Sequence, residues 1–245
     1  MRIAVVSDVH GSAHALEAVI DDLRRESVDV VLHGGDLVVN GPSPDDVATT
    51  IRELGWRGVL GNTDEMLWTL NELTERLARM PRLEPLLRVL HEHMAPAALE
   101  RLSDVNLRWL RALPEQIVED GVTLLHASPG DLWRAPREDA NEETLRTTYE
   151  ALPADVIVYG HIHRPFVRKL SGMVVANSGS AGLTWDGDPR ASYLVIDGPT
   201  VEVRRVEYAV ERDVSDLLSS GLPYARWLAE MRRRATYLPP DPSLR

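Results

Sequence analysis

The 245-residue chain has no cysteine, which excludes disulfides and thiolate metal sites. Any transition metal must therefore be held by His, Asp, Glu or Asn. No apolar run is long enough to span a membrane. The first residues enter a strand directly, without the charged segment and small-residue cleavage site of a signal peptide. With the missing cysteine, that predicts a cytoplasmic protein. Positive charge is in short supply: the net charge is −11, which argues against a broad basic surface for long nucleic acid. The basic run Arg232-Arg233-Arg234, beside Glu230, reads as a solvated helix face. The phosphate loop G-x-x-x-x-G-K and the G-x-S-x-G nucleophile elbow are also absent, as are repeats and low-complexity tracts, and paired acid/base carboxylates do not stand out.

What is present is a hydrophobic content of 44%, enough for a sizeable core. Ile3–Val6, Val28–Leu32 and Arg57–Leu60 read as short buried strands, alternating with helices over Ala13–Arg25 and Asp45–Leu54. That βαβαβ order predicts parallel strands. Residues 64–113 read as mostly helical, punctuated by Pro81, Pro85 and Pro96, and as an insertion over the strand ends. Strand signals return at Gln116–Val118, Val122–Leu125 and Val156–Tyr159. Two predicted hairpins follow, Phe166–Leu170 with Met173–Ala176 around Gly172, and Tyr193–Ile196 with Val201–Val206 around Gly198-Pro199. Helices near Asp213–Ser219 and Tyr224–Arg234 close the chain, and residues 239–245 read as a loose tail. The fold class expected is α/β, with two sheets in a single domain over 1–245.

Asp8-Val9-His10-Gly11 follows the first strand. A carboxylate and an imidazole two residues apart at a strand end suit a metal, and equally an ordinary polar turn. The same arrangement recurs. His33-Gly34-Gly35-Asp36 follows the second strand, Gly61-Asn62-Thr63-Asp64 the third, His126 ends another, and Gly160-His161-Ile162-His163 follows Val156–Tyr159. Five strand ends on one sheet edge bring Asp, Asn and His together from distant parts of the chain.

In that order, D-x-H, G-D, G-N, H and G-H-x-H resemble the calcineurin-like metallophosphoesterases, over residues 3 to about 180. Asn40-Gly41-Pro42 and the segment Asn177–Gly182 look closest to the branch of bacterial phosphodiesterases and diadenosine tetraphosphatase relatives. The resemblance implies a β-sandwich of two sheets flanked by helices (αββα), with the helical insertion over the active-site edge. It implies two divalent ions, Mn, Fe or Zn, with Mn the expected active metal. Asp8, His10 and His163 would hold one ion, Asn62, His126 and His161 the other, and Asp36 both. A hydroxide bridging the ions would attack a phosphate ester without a protein nucleophile.

Thr63 departs from the pattern. The family often has His there, contacting the substrate phosphate and serving as general acid, whereas Thr supplies only a hydroxyl hydrogen bond. That predicts a bias toward phosphodiesters. Ser12 stands where related sequences often have Asn. Thr63, Asp64 and Arg164 join Asp36 and Asn62 as candidate catalytic residues, though for Arg164 an exposed turn is an equal reading. Asn40 is a further candidate near the substrate. His33 is expected behind the site or in the core, His14 at the rim or in solvent, and His91 and His93 on the surface. Trp68, Trp109 and Trp133 are expected to be core rather than base-stacking residues. The expected partner is a small phosphate ester, nucleotides included, with no long nucleic acid and no membrane; a homo-oligomer stays open. The alternative is a non-catalytic metal-binding scaffold for protein partners on the same fold.

Overall fold

The computed structural model describes residues 1–241 and 243. Five strands form the first sheet: β1 (Arg2–Val6), β2 (Val30–His33), β3 (Arg57–Gly58), β9 (Ala191–Asp197) and β10 (Thr200–Val206), in the order β10-β9-β1-β2-β3. The second sheet contains β4 (Gln116–Glu119), β5 (Val122–Leu125), β6 (Val156–Tyr159), β7 (Phe166–Leu170) and β8 (Met173–Asn177), in the order β4-β5-β6-β8-β7. β1, β2 and β3 run parallel as expected, and both hairpins form where Gly172 and Gly198 allow them.

Alternation along β1 explains the layering. Ile3 and Val5 point at the second sheet and meet Val122, Leu124, Val156 and Val158 in a core between the sheets. Ala4 and Val6 point the other way, into a larger core with helices α1 (Ala13–Leu23), α2 (Pro44–Glu53), α9 (Val210–Ser219) and α10 (Ala225–Arg234). β1 is buried on both faces, so its sequence reads as a continuous apolar run. The outer face of the second sheet is covered by α8 (Glu142–Tyr149), whose Leu145 and Tyr149 pack on Ile157 and Tyr159. The sequence reading did not include α8: within eight residues it buries only those two side chains.

The insertion is helical, as α3 (Asn62–Met66), α4 (Leu73–Arg79), α5 (Glu84–Val89), α6 (Ala95–Leu99) and α7 (Asp104–Arg111), with a π-helical turn at Leu90–Met94. Met66, Leu90, Met94 and Leu110 belong to the same core as α1 and α10. Among the described residues, no helix is long and apolar enough to cross a membrane. The expected loose tail falls partly on residues 242, 244 and 245, outside the described residues; Tyr237 and Leu238 just before it pack on the core.

Two expectations are corrected here, and one residue has a second role. Arg232 is not on a solvated face: its side chain is fully buried beside Asp213, because α10 turns that position toward the site loops. Arg233 and Arg234 do face outward, paired with Glu211 and Glu230. His91 is buried rather than on the surface, since the π-helical turn rotates it inward against Trp133. Trp133, expected in the core, also lines the cavity described below.

Candidate metal centre

Every strand end singled out in the sequence arrives at one place. Asp8 N–H donates to Gly35 O and His10 N–H to Asp36 O, each at 3.0 Å, tying the β1 loop to the β2 loop. Thr63 N–H donates to Asp36 Oδ1 at 2.8 Å, and His161 N–H to Asp8 Oδ1 at 3.1 Å, bringing in the β3 and β6 loops. The approach is so close that glycine is obligatory at two points. A Cβ on Gly61 would lie 2.2 Å from Asp36 Oδ1, and one on Gly160 would lie 2.3 Å from Asp8 Oδ2. The segment Asn177–Gly182 props these loops from behind: Ser180 Oγ donates to Asp8 O at 2.6 Å, and Asn177 Nδ2 to Gly160 O at 2.6 Å.

Asp8, His10, Asp36 and His163 form a buried group whose ligand atoms lie within 4.8 Å of one another. Asn62 Oδ1 lies 2.9 Å from both His126 Nε2 and His161 Nδ1. Asp36 faces both sets, with Oδ2 3.8 Å from His10 Nε2 and Oδ1 3.5 Å from His126 Nε2.

The outer hydrogen bonds test whether this donor set fits cations. Nδ1 of His10, His126 and His163 donates to the carbonyls of Val39, Gly34 and Leu183 at 2.8, 2.8 and 2.5 Å. Nε2 of His161 donates to Trp133 O at 3.1 Å. Metal-ligating imidazoles are held in this way, the outer nitrogen bonded and the inner one turned toward the ion. The inward nitrogens His10 Nε2 and His163 Nε2 lie 3.1 Å apart, His163 Nε2 lies 3.1 Å from Asp8 Oδ1, and Asn62 Oδ1 meets two more inward nitrogens. Four imidazoles, two carboxylates and an amide oxygen converging in one buried volume fit divalent ions. Mixed carboxylate, amide and imidazole donors suit Mn, Fe or Zn.

The protonation of these groups follows from burial and mutual charge. Burial alone would raise the Asp8 carboxyl, but His163, by charge and hydrogen bond, and then His126 and His10 pull it well below the usual carboxylate range. Burial lowers His10 and His161 to about 4, keeping both neutral at physiological pH. Burial also opposes charge on His126, yet Asp36 and Asp8 outweigh it and raise that imidazole. The field that favours a proton there favours a cation.

Above the site lies a cavity of about 280 Å³. His10, Asp36, Asn62, His161 and His163 reach it, together with Thr63 and Asn40. The Thr63 hydroxyl and Asn40 Oδ1 are buried without partners among the described residues. Asp64 is not in the cavity wall. Its carboxylate, raised to about 7 by burial and by Asp36, accepts the N–H groups of Leu37 and Val38 and so fixes the Asp36 loop. Arg164 is also outside the cavity wall, 2.5 Å from Glu138. His33 lies in the core against Trp109, and His14 pairs with Asp216 at 2.7 Å. Ser12 caps α1 and donates to Asp213 at 2.7 Å. Sequence reasoning missed Trp185, whose ring stacks 3.9 Å from that of His163, and the cavity-lining Trp227, Met231 and Tyr237. None of these lies at a strand end, the signal that found the others.

A family model described as the calcineurin-like phosphoesterase superfamily domain matches residues 1–200. The chain belongs to that superfamily. A probable metallophosphoesterase of Methanothermobacter thermautotrophicus is 27% identical over 232 residues, covering 93% of this chain and 98% of that protein. Phosphodiesterase YfcE of Escherichia coli is 24% identical over 217 residues, covering 83% of this chain and 91% of its own. Among solved structures, a metallophosphoesterase from Sphaerobacter thermophilus superposes with a TM-score of 0.78 at 26% identity, covering 96% of this chain and all of its own. The αββα architecture is thus that of the superfamily.

Proposed function

We propose that the chain is a metal-dependent phosphodiesterase. Asp8, His10 and His163 would hold one divalent ion, and Asn62, His126 and His161 a second, with Asp36 shared; Mn is the ion we expect to be active. Such a pair supplies Lewis acidity at the phosphoryl oxygens and a water acidic enough to serve as nucleophile near neutral pH. The protein's own part is positional. The Asp36 loop is clamped from behind by Asp64, and the outer carbonyls aim the four imidazoles. The unpartnered Thr63 hydroxyl can donate to a non-bridging phosphoryl oxygen. Thr63 cannot protonate a departing alkoxide, so esters with good leaving groups and a single negative charge are favoured. In-line displacement at such an ester needs charge stabilisation more than covalent chemistry.

The convergence of these Asp, Asn and His donors at the cavity that Thr63 also lines carries this reading, and the phosphodiesterase relative supports it. With all seven donors present, the scaffold alternative has no observation in its favour. The test is hydrolysis of bis-p-nitrophenyl phosphate against p-nitrophenyl phosphate after Mn²⁺ loading. Diester cleavage lost in Asp36→Asn is expected. Faster cleavage of the monoester, or near-normal turnover in Asp36→Asn, would overturn it.

A further inference from the structure

The walls of the cavity are chemically unlike its floor. One wall is a leucine face of the insertion, made of Leu83, Leu86, Leu87 and Leu90. Another comes from the end of the chain: Trp227, Met231 and Tyr237, all beyond the family match that ends at residue 200. Among the described residues, no lysine or arginine lines the cavity. The nearby guanidinium groups are already engaged: Arg76 with Glu65 and Glu72, Arg164 with Glu138, and Arg232 with Asp213. A polyphosphate, a phosphopeptide or an oligonucleotide carries charge beyond the scissile phosphate, and this wall has nothing to pair with it.

A nucleobase fares no better against the walls. Its edges need hydrogen-bond partners, but Trp133 Nε1 donates to Glu65 and Trp227 Nε1 to Leu238 O. Of the buried polar atoms at the cavity, Thr63 Oγ1, Asn40 Oδ1 and Trp185 Nε1 are unpartnered among the described residues. Thr63 adjoins Asn62 and its backbone binds Asp36, while Trp185 stacks on His163. These atoms therefore accompany the donors that would face the phosphate, and apart from the Tyr237 hydroxyl the remaining walls are leucine, methionine and indole.

Resting on the phosphodiesterase reading above, we propose that the substrate is a phosphodiester of an apolar alcohol. Its phosphate lies on the polar floor, and its hydrocarbon lies among the leucines of the insertion and the aromatic residues of the C-terminal segment. A volume of about 280 Å³ is at the small end of ligand sites, so the hydrocarbon that fits is short.

A series of p-nitrophenyl alkyl phosphodiesters, from methyl to octyl, tests this with the leaving group held constant. In the Mn²⁺-loaded protein, kcat/KM is expected to rise about two- to fourfold per methylene until the cavity is full. The double variant L83N/L86N, at two partly exposed wall positions and checked for folding by circular dichroism, should flatten that slope. Independently of turnover, octyl phosphate should quench tryptophan fluorescence at lower concentration than methyl phosphate. If the methyl ester is cleaved but the series is flat, or if thymidine 5′-(p-nitrophenyl phosphate) is preferred to the octyl ester, this inference falls and the phosphodiesterase reading stands. If no ester in the series is cleaved by the loaded protein, that reading falls, and this inference with it.

Discussion

Replacing Asp213 by alanine would leave a guanidinium buried and uncompensated. Arg232 Nη1 lies 2.5 Å from Asp213 Oδ2, and both side chains are completely excluded from solvent. The same guanidinium donates to the carbonyls of His10 and Asn40 at 3.1 and 3.2 Å, and Ser12 Oγ donates to the second Asp213 oxygen. Breaking such a pair from one side costs about 3–5 kcal/mol, most of it the stranded charge. At about 2–4 °C per kcal/mol for a chain of this size, the melting temperature should fall by about 6–20 °C. An internal control lies one residue along: Arg233 binds Glu211 through two nitrogens, but both groups are exposed. Glu211→Ala should therefore cost less than about 1 kcal/mol. Urea denaturation of both variants, in chelator so that metal linkage does not intervene, reads the difference. If Asp213→Ala cost no more than Glu211→Ala, the argument that this pair braces the His10 loop would be wrong.

Burial holds the His33 imidazole neutral, lowering it from 6.5 to about 3, with both ring nitrogens unpartnered. The unfolded chain therefore takes up a proton that the folded protein refuses: this contribution to stability is complete above pH 6.5 and is lost as the pH falls toward 3. The slope reaches about 1.4 kcal/mol per pH unit. His33→Leu should shrink the shift in urea midpoint between neutral pH and pH 5, and an unchanged shift would count against it. Gly61→Ala should weaken metal binding at least about tenfold, measured as bound Mn²⁺ per chain, because the added methyl displaces Asp36. His91→Ala should destabilise by about 1–3 kcal/mol in thermal melts, as it empties a buried site beside Trp133; no change would restore the surface reading of that residue.

The site was legible where chemistry and periodicity coincide. Asp8, Asp36, Asn62, His126, His161 and His163 each follow a short apolar run, so strand ends mark their positions, and the order of the motifs, through the family resemblance, supplies their expected roles. Legibility ended where a helix face decides the outcome. Arg232, Arg233 and Arg234 are identical in type, and only the seating of α10 on α9 separates a buried brace from two surface pairs. His91 and His93 were judged by α-helical spacing, and the π-helical turn at Leu90–Met94 changes the rotation per residue. Trp185 carries no signal of its own; its place on His163 comes from the loop after Asn177–Gly182.

The backbone helps explain why five of the seven donors are Asp or His at these particular positions. Asp8, His10, Asp36, His161 and His163 all adopt left-handed conformations, with φ of 55°, 49°, 53°, 66° and 56°. Asp and His are among the side chains that tolerate this region best, and each instance costs about 1–3 kcal/mol unless the surroundings enforce it. Here they do: hydrogen bonds run from Asp8 to Gly35, from His10 to Asp36 and from His161 to Asp8, and glycines stand wherever a Cβ would collide. The strained turns direct side chains from separate strand ends into one volume, which extended backbone would send to alternate faces. The donor cluster is therefore assembled by the backbone of these loops. That is the arrangement a cation site needs if its donors are to be in place before the ion arrives.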